Sequence, residues 1–156
     1  MENAFVIVKL QAGEVHHMRA LNAVLARAFS EPDTYLGFPP DDRYLEAWLG
    51  NANAIALAAF DADVVVGGLV AYVLEKFEQA RREIYIYDLA VAQEYRRRGI
   101  ATALIRLLQK IAKRIDAWVI YVQADYGDDP AIALYERLGI REEVLHFDIP
   151  VERTRT

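Results

Sequence analysis

Glu83-Ile84-Tyr85-Ile86-Tyr87-Asp88-Leu89-Ala90-Val91 is followed after four residues by Arg96-Arg97-Arg98-Gly99-Ile100-Ala101. The first stretch is dense in β-branched and aromatic residues and reads as a strand. Beyond Gly99, residues Ile100, Leu104, Leu107, Leu108, Ile111 and Ile115 recur at helical spacing, with Arg106, Lys110, Lys113 and Arg114 on the remaining surface. A strand, a basic glycine turn and a helix in that order make an anion site. The unpaired N–H groups of a helix start attract negative charge, and a glycine lets backbone approach a phosphate without a Cβ between them. A solvated helix start that merely happens to be basic is the plainer alternative for the turn alone. No Gly-Lys-Ser or Gly-Lys-Thr follows, and the three-glycine dinucleotide pattern is missing, so a different phosphorylated cofactor is implied.

Working outward, alternation and apolar runs predict strands at Phe5–Lys9, Ala54–Phe60, Val64–Val73, Glu83–Val91, Val119–Ala124 and Glu142–Ile149. Helices are predicted from about Glu14 to Phe29, after Asp41, from Ile100, and from Asp129-Pro130 to Leu138, with Asp129 as cap and Gly139 as a left-handed stop. Ser30-Glu31-Pro32-Asp33 reads as a helix end or turn, and Pro39-Pro40 separates the first two helices. With no repeat, linker or low-complexity segment, this order predicts one α+β domain over residues 1–156 around a mixed sheet.

Composition narrows the chemistry. At 156 residues, 54% hydrophobic and 26% charged, the chain suits a single soluble core. A net charge of −5 argues against a general nucleic-acid binder, which would carry a basic surface. No cysteine is present, so thiolate nucleophiles, disulfides and cysteine zinc sites are excluded. Ser30 is the only serine. His16 and His17 are adjacent on a helix and diverge, a poor arrangement for metal ligation, and no metal site is expected. His146 and Asp148 would share one face of the last predicted strand, either toward a substrate or as an ordinary half-exposed strand face. Met1-Glu2-Asn3-Ala4-Phe5 shows no secretory pattern and no stretch is apolar enough to span a bilayer, so the expectation is a cytoplasmic protein.

A second constellation lies at Asp128-Asp129-Pro130-Ala131-Ile132-Ala133-Leu134-Tyr135-Glu136-Arg137-Leu138-Gly139-Ile140. Together the two regions resemble the signatures of the GNAT superfamily of acyl-CoA-dependent N-acetyltransferases. Arg96, Gly99 and Ala101 match its Arg/Gln-x-x-Gly-x-Gly/Ala pyrophosphate motif, and Ala131, Tyr135 and Gly139 match Asn-x-x-Ala-x-x-x-Tyr-x-x-x-Gly-Phe. Asp128 and Ile140 stand where that pattern has Asn and Phe. The segments Ile55–Asp61, Glu83–Val91, Tyr121–Pro130 and Gly139–Val144 are similar, more narrowly, to type I aminoglycoside 3-N-acetyltransferases, across most of residues 54–149.

The resemblance implies a GNAT-like mixed, mostly antiparallel sheet flanked by about four helices, acetyl-CoA as cosubstrate, and an aminoglycoside of gentamicin type as acceptor. It also implies no nucleic-acid or membrane partner, and dimers are common in the superfamily. Direct attack of an amine on a thioester needs no protein nucleophile, in keeping with the absent cysteines. On this resemblance Asp88 is the candidate base, with Glu83 as the alternative. Asp88 could instead fix a strand bulge or orient the substrate ammonium. Tyr135 is the candidate acid for the departing thiolate; packing over the sheet is its alternative role. Leu89, Ala90, Val91, Arg96, Arg97, Arg98, Gly99, Ile100, Ala101, Thr102 and Asp128 are expected at the donor. Glu83, Tyr87, Asp125, Asp128, Asp129, Glu143 and Asp148 are expected at the cationic acceptor, where carboxylates would steer ammonium groups. Asp129 could equally be a plain helix cap. Another polyamine or a protein amine as substrate, and a non-catalytic acyl-CoA sensor, stay open beside the aminoglycoside reading.

Overall fold

The computed structural model describes residues 5–153; the N-terminal stretch read above, residues 1–4, lies outside the described residues. The chain divides after Gln123 into two compact units.

The first unit is a five-stranded sheet in sequential order, β1 (Val6–Lys9), β2 (Ala54–Asp61), β3 (Val64–Glu75), β4 (Arg82–Val91) and β5 (Ala117–Val122). Successive pairs are antiparallel except β4 and β5, which are parallel. The parallel step needs a crossover, and α4 (Ile100–Arg114) supplies it, so the N-terminus of α4 follows the carboxyl end of β4. α1 (Val15–Ala28), the short α2 (Pro32–Leu36) and α3 (Asp42–Leu49) all lie between β1 and β2.

β2 is buried along its first six residues because both of its faces are covered. Ala56 and Ala58 meet Leu21, Leu25, Leu45 and Leu49 of α1 and α3. The intervening Ile55 and Leu57 point to the opposite face, where α4 brings the fully buried Leu104 and Leu108. α1 approaches β3 so closely that a Cβ on Gly68 would collide with the Leu21 side chain and lie 2.6 Å from the Leu57 carbonyl oxygen. α3 starts where Asp41 accepts a hydrogen bond from the Tyr44 N–H at 2.8 Å.

Five predicted strands and the four predicted helices are present within two residues of the expected bounds, β5 both beginning and ending two residues early. Four details differ. Pro32, read as part of a turn, occupies the first position of α2, where its missing N–H costs nothing. The predicted strand over Glu142–Ile149 does not form. Its alternation is real, but residues 124–153 contain no strand to pair with it, and Glu143 is instead held by local side-chain bonds. His146 and Asp148 therefore share no strand face; they bond directly at 2.9 Å. In the second unit, α5 (Asp129–Leu138) is capped by Asp128 rather than Asp129, with the carboxylate accepting from the Ala131 N–H at 3.3 Å. Gly139 leaves α5 extended (φ −147°) instead of left-handed.

Candidate active site

β4 outlasts its parallel neighbour. Pairing with β5 ends at Ile86↔Val122, whereas pairing with β3 continues through Asp88, Leu89, Ala90 and Val91. Beyond Ile86 the backbone groups of β4 that point away from β3 have no strand partner among the described residues, and apart from the Val91 carbonyl, which Arg96 takes, they are available to a ligand. From Val91 the chain passes through a single 3-10 turn, Gln93–Tyr95, into the arginine-rich turn. Tyr95 anchors it by donating to Asp61 Oδ2 at 2.9 Å. Arg96 Nε donates to the Val91 carbonyl at 3.1 Å, and Arg98 donates to the Glu94 carbonyl at 3.0 Å with its guanidinium over the Tyr95 ring. All three arginines keep an exposed face.

Gly99 has φ +81°, a left-handed conformation that carries a penalty for any residue with a Cβ, and a Cβ there would enter open space. No side chain caps α4. The N–H groups of Ile100, Ala101 and Thr102 are thus left without intrahelical acceptors, at the positive end of a 15-residue helix and beside three guanidinium groups. An uncapped start, an open approach and positive charge fit a pyrophosphate.

On the face of the sheet carrying α1 and α3 lies an open groove of about 210 Å³. Tyr87 and Asp88 both line it, which a regular strand forbids because neighbouring side chains alternate. The register explains the exception. Ala71 pairs with Ile86 but Val70 pairs with Asp88, so Tyr87 is an extra residue in β4. This bulge resets the parity of the strand and turns Asp88 onto the same face as Tyr72 and Tyr85. Aromatic rings then run across that face: Trp48 on Tyr72 (6.1 Å), Tyr72 on Tyr87 (5.8 Å), Tyr87 on Tyr85 (5.8 Å) and Tyr85 on Tyr121 (4.8 Å).

Asp88 is half-buried in this setting, and loss of hydration pushes its carboxyl above the ordinary aspartate range. A hydrogen bond from the Tyr35 hydroxyl to Oδ2, 2.9 Å long, pulls the other way, and the charge of Glu31 adds to the rise. Glu83, the alternative base, sits in another environment, 3.6 Å from Arg81 and 3.9 Å from Lys76, and does not line the groove.

In the second unit Tyr135 lies on α5, half-buried; burial first and then the Asp128 charge raise its phenol to about 12. Asp128 spends one oxygen on the helix cap. Glu143 accepts from Tyr126 (2.7 Å) and from Arg141 (2.7 Å), which hold it below the ordinary carboxylate range. Asp125 and Asp129 are exposed, and Asp148 is engaged with His146. Among the described residues no group of three or more His, Cys, Asp or Glu is placed to hold a metal, and no helix is long and apolar enough to cross a membrane.

Sequence reasoning missed Tyr35, Tyr44, Trp48 and Tyr72 as groove residues. Trp48 was legible only as an apolar helix position, and Tyr35 lay in what read as the sequel of a turn. The one signal for the first three was a concentration of aromatic residues between Tyr35 and Trp48.

Residues 20–140 match the model of the Acetyltransferase (GNAT) family. Among solved structures, an aminoglycoside acetyltransferase from an uncultured soil metagenomic sample is 52% identical, with 95% of this chain and 99% of that one covered and a TM-score of 0.93. A second metagenomic aminoglycoside acetyltransferase, solved in complex with sisomicin, is 28% identical with a TM-score of 0.87 over 97% of this chain and 99% of that one. An N-alpha-acetyltransferase of Sulfurisphaera tokodaii is 31% identical over 96 residues, 54% of this chain, and the match spans 58% of that curated relative's length. The five-stranded mixed sheet, the uncapped glycine turn after its fourth strand and a family match extending through α5 converge: this chain belongs to the GNAT acetyltransferase family.

Proposed function

We propose that the chain is an aminoglycoside N-acetyltransferase that modifies the 3-amino group of the deoxystreptamine ring, and so confers antibiotic resistance. One observation carries the reading: a single strand, β4, presents a carboxylate of raised pKa in an aromatic groove and then runs into an anion cradle. Donor and acceptor chemistry are thereby drawn to one line of backbone. The similarity to two aminoglycoside acetyltransferases, one bound to sisomicin, supports the acceptor class. Both units are read as parts of one catalytic domain, since the family match runs through each of them.

Acetyl-CoA supplies an activated thioester whose carbonyl carbon the neutral amine attacks, the C–N bond forming as the C–S bond breaks. Arg96, Arg97 and Arg98 with the N–H groups of Ile100, Ala101 and Thr102 hold the pyrophosphate. The end of β4 at Leu89, Ala90 and Val91 binds the donor arm through the backbone groups that point away from β3, and it offers an N–H where negative charge develops on the carbonyl oxygen. Asp88 accepts the amine proton, directly or through water, and its raised pKa suits the task. Tyr135, protonated across the working range, gives its proton to the sulfur and regains one from solvent. Asp128 sits beside Tyr135 in charge and keeps one carboxylate oxygen for donor or acceptor. Tyr87 is assigned to the acceptor in the first unit, and in the second Asp125, Asp129, Glu143 and Asp148 are assigned to it as carboxylates that attract ammonium groups. Glu83 remains the alternative proton acceptor.

The N-alpha-acetyltransferase relative favours a second reading, transfer to protein amines. Incubation with acetyl-CoA and sisomicin, gentamicin, spermidine or lysine peptides separates the two, with mass spectrometry for the adduct and NMR to locate the modified nitrogen. Acetylation of the drugs at the 3-amino group is expected; activity confined to spermidine or peptides would overturn the proposal, and CoA binding without thiol release on any amine would favour a sensor.

A further inference from the structure

We infer that Tyr35 is a positioning residue for Asp88: its hydroxyl holds one carboxylate oxygen so that the other is presented to the acceptor amine. The inference rests on the reading of Asp88 as proton acceptor. Tyr35 Oη donates to Asp88 Oδ2 at 2.9 Å across 53 positions of sequence, and among the described residues Oδ1 accepts no hydrogen bond. A carboxylate on a bulged strand can rotate about its side-chain torsions, and one fixed oxygen removes that freedom.

The donor is itself held from behind. Tyr35 lies on α2, which starts at Pro32 with its φ already set, and the Glu31 N–H ties the segment to the Ala26 carbonyl of α1 at 3.0 Å. The Tyr35 ring stacks on Phe29 at 6.0 Å, interplanar angle 29°. Ring and helix are thus fixed by packing, while among the described residues the hydroxyl has Asp88 as its one side-chain partner. The contact also bears on protonation. Facing Asp88 across the groove are Asn22 of α1, Tyr35 of α2 with Glu31 just before it, Tyr44 of α3, Tyr72 of β3 and Tyr87 of β4. Of these, Tyr35 favours the charged carboxylate by a hydrogen bond, and Glu31 opposes it by charge. Burial of Tyr35 and its bond to Asp88 raise its own pKa, so it stays a donor throughout the working range.

Tyr35→Phe keeps the stacking ring and deletes the hydroxyl. In the full-length protein, kcat for sisomicin is expected to fall about tenfold, the scale of one hydrogen bond to a charged group. The KM for acetyl-CoA should move by no more than about twofold, since the lost contact is remote from the donor cradle. The acid limb of kcat/KM against pH should shift to higher pH, because the carboxylate loses a bond that favoured its ionised form. The Asp88 carboxyl carbon, followed by ¹³C NMR in the free protein, should titrate at higher pH in the variant. That readout needs no acceptor, and a purely structural role for the hydroxyl would leave it unmoved. An Asp88 midpoint or an acid limb unchanged by Tyr35→Phe overturns the inference. A shifted Asp88 midpoint in a protein that acetylates no aminoglycoside upholds the Tyr35 contact and sinks the aminoglycoside reading instead.

Discussion

Gly99→Ala tests the donor cradle most sharply, because the structure separates two effects that a glycine substitution usually mixes. An alanine at φ +81° carries strain of about 1–2 kcal/mol from the left-handed conformation. Nothing lies within 4 Å of the new Cβ, so no collision adds to that figure. For a chain of this size, a loss on this scale lowers Tm by roughly 2–8 °C. On the pyrophosphate reading, however, the methyl group takes up open space at the residue just before the N–H groups of Ile100, Ala101 and Thr102, where the phosphate would approach. Displacing a phosphate oxygen from one of them forfeits a hydrogen bond to a charged group, about 1.5–3 kcal/mol, so the acetyl-CoA Kd should rise roughly 10- to 100-fold. Calorimetric titration with acetyl-CoA beside thermal unfolding measures both. Gly68→Ala is the counterpart: its Cβ collides with Leu21 and the Leu57 carbonyl, so stability falls by about 1–3 kcal/mol or more. That site lies where α1 packs on β3, and donor affinity there should hold. A Gly99→Ala protein that loses stability yet binds acetyl-CoA within about twofold of wild type would refute the assignment of this turn to the pyrophosphate.

Three further outcomes are expected. Asp88→Asn should lower kcat by about 10²- to 10⁴-fold, and wild-type kcat/KM should rise with pH through an Asp88 midpoint above the ordinary aspartate range, since only the ionised form accepts a proton; near wild-type steady-state rates for the variant would remove Asp88 as base. Tyr135→Phe should lower kcat more than acetyl-CoA affinity, and any alkaline loss in wild type assignable to this phenol should have its midpoint at about pH 12; equal damage to kcat and donor binding would point to packing. Leu104→Ala, at a fully buried position under the sheet, should cost about 2–5 kcal/mol in urea unfolding with KM values retained in the folded fraction.

Where local physics decides an element, the chain announces it. The apolar stripe of α4 and the apolar runs of β2 and β3 are spelled out residue by residue, and the basic glycine turn between β4 and α4 stands in plain view. Features that depend on pairing are less legible. Glu142–Ile149 alternates like a strand, but alternation only prepares a surface, and residues 124–153 hold no second strand to use it. The groove illustrates the same limit. Asp88 was nominated by resemblance, but its facing depends on a register shift against Val70 and Ala71 that no property of β4 alone encodes. Tyr35 reaches it from 53 positions away on a five-residue helix too short to show periodicity.

The extra residue in β4 has a consequence for how this protein can change. Upstream of Tyr87 the strand keeps one reading frame of side chains, in which Ile84 and Ile86 are buried; downstream it keeps the other, in which Asp88 takes the groove. Substitutions at single positions alter one side chain at a time and can be sampled gradually. Loss or gain of one residue between Ile86 and Asp88 exchanges the two faces of everything beyond it, aiming Asp88 away from its groove while leaving the composition of the strand almost untouched. Variation in acceptor range is therefore open to the aromatic positions around the groove, whereas the length of this strand is closed to it.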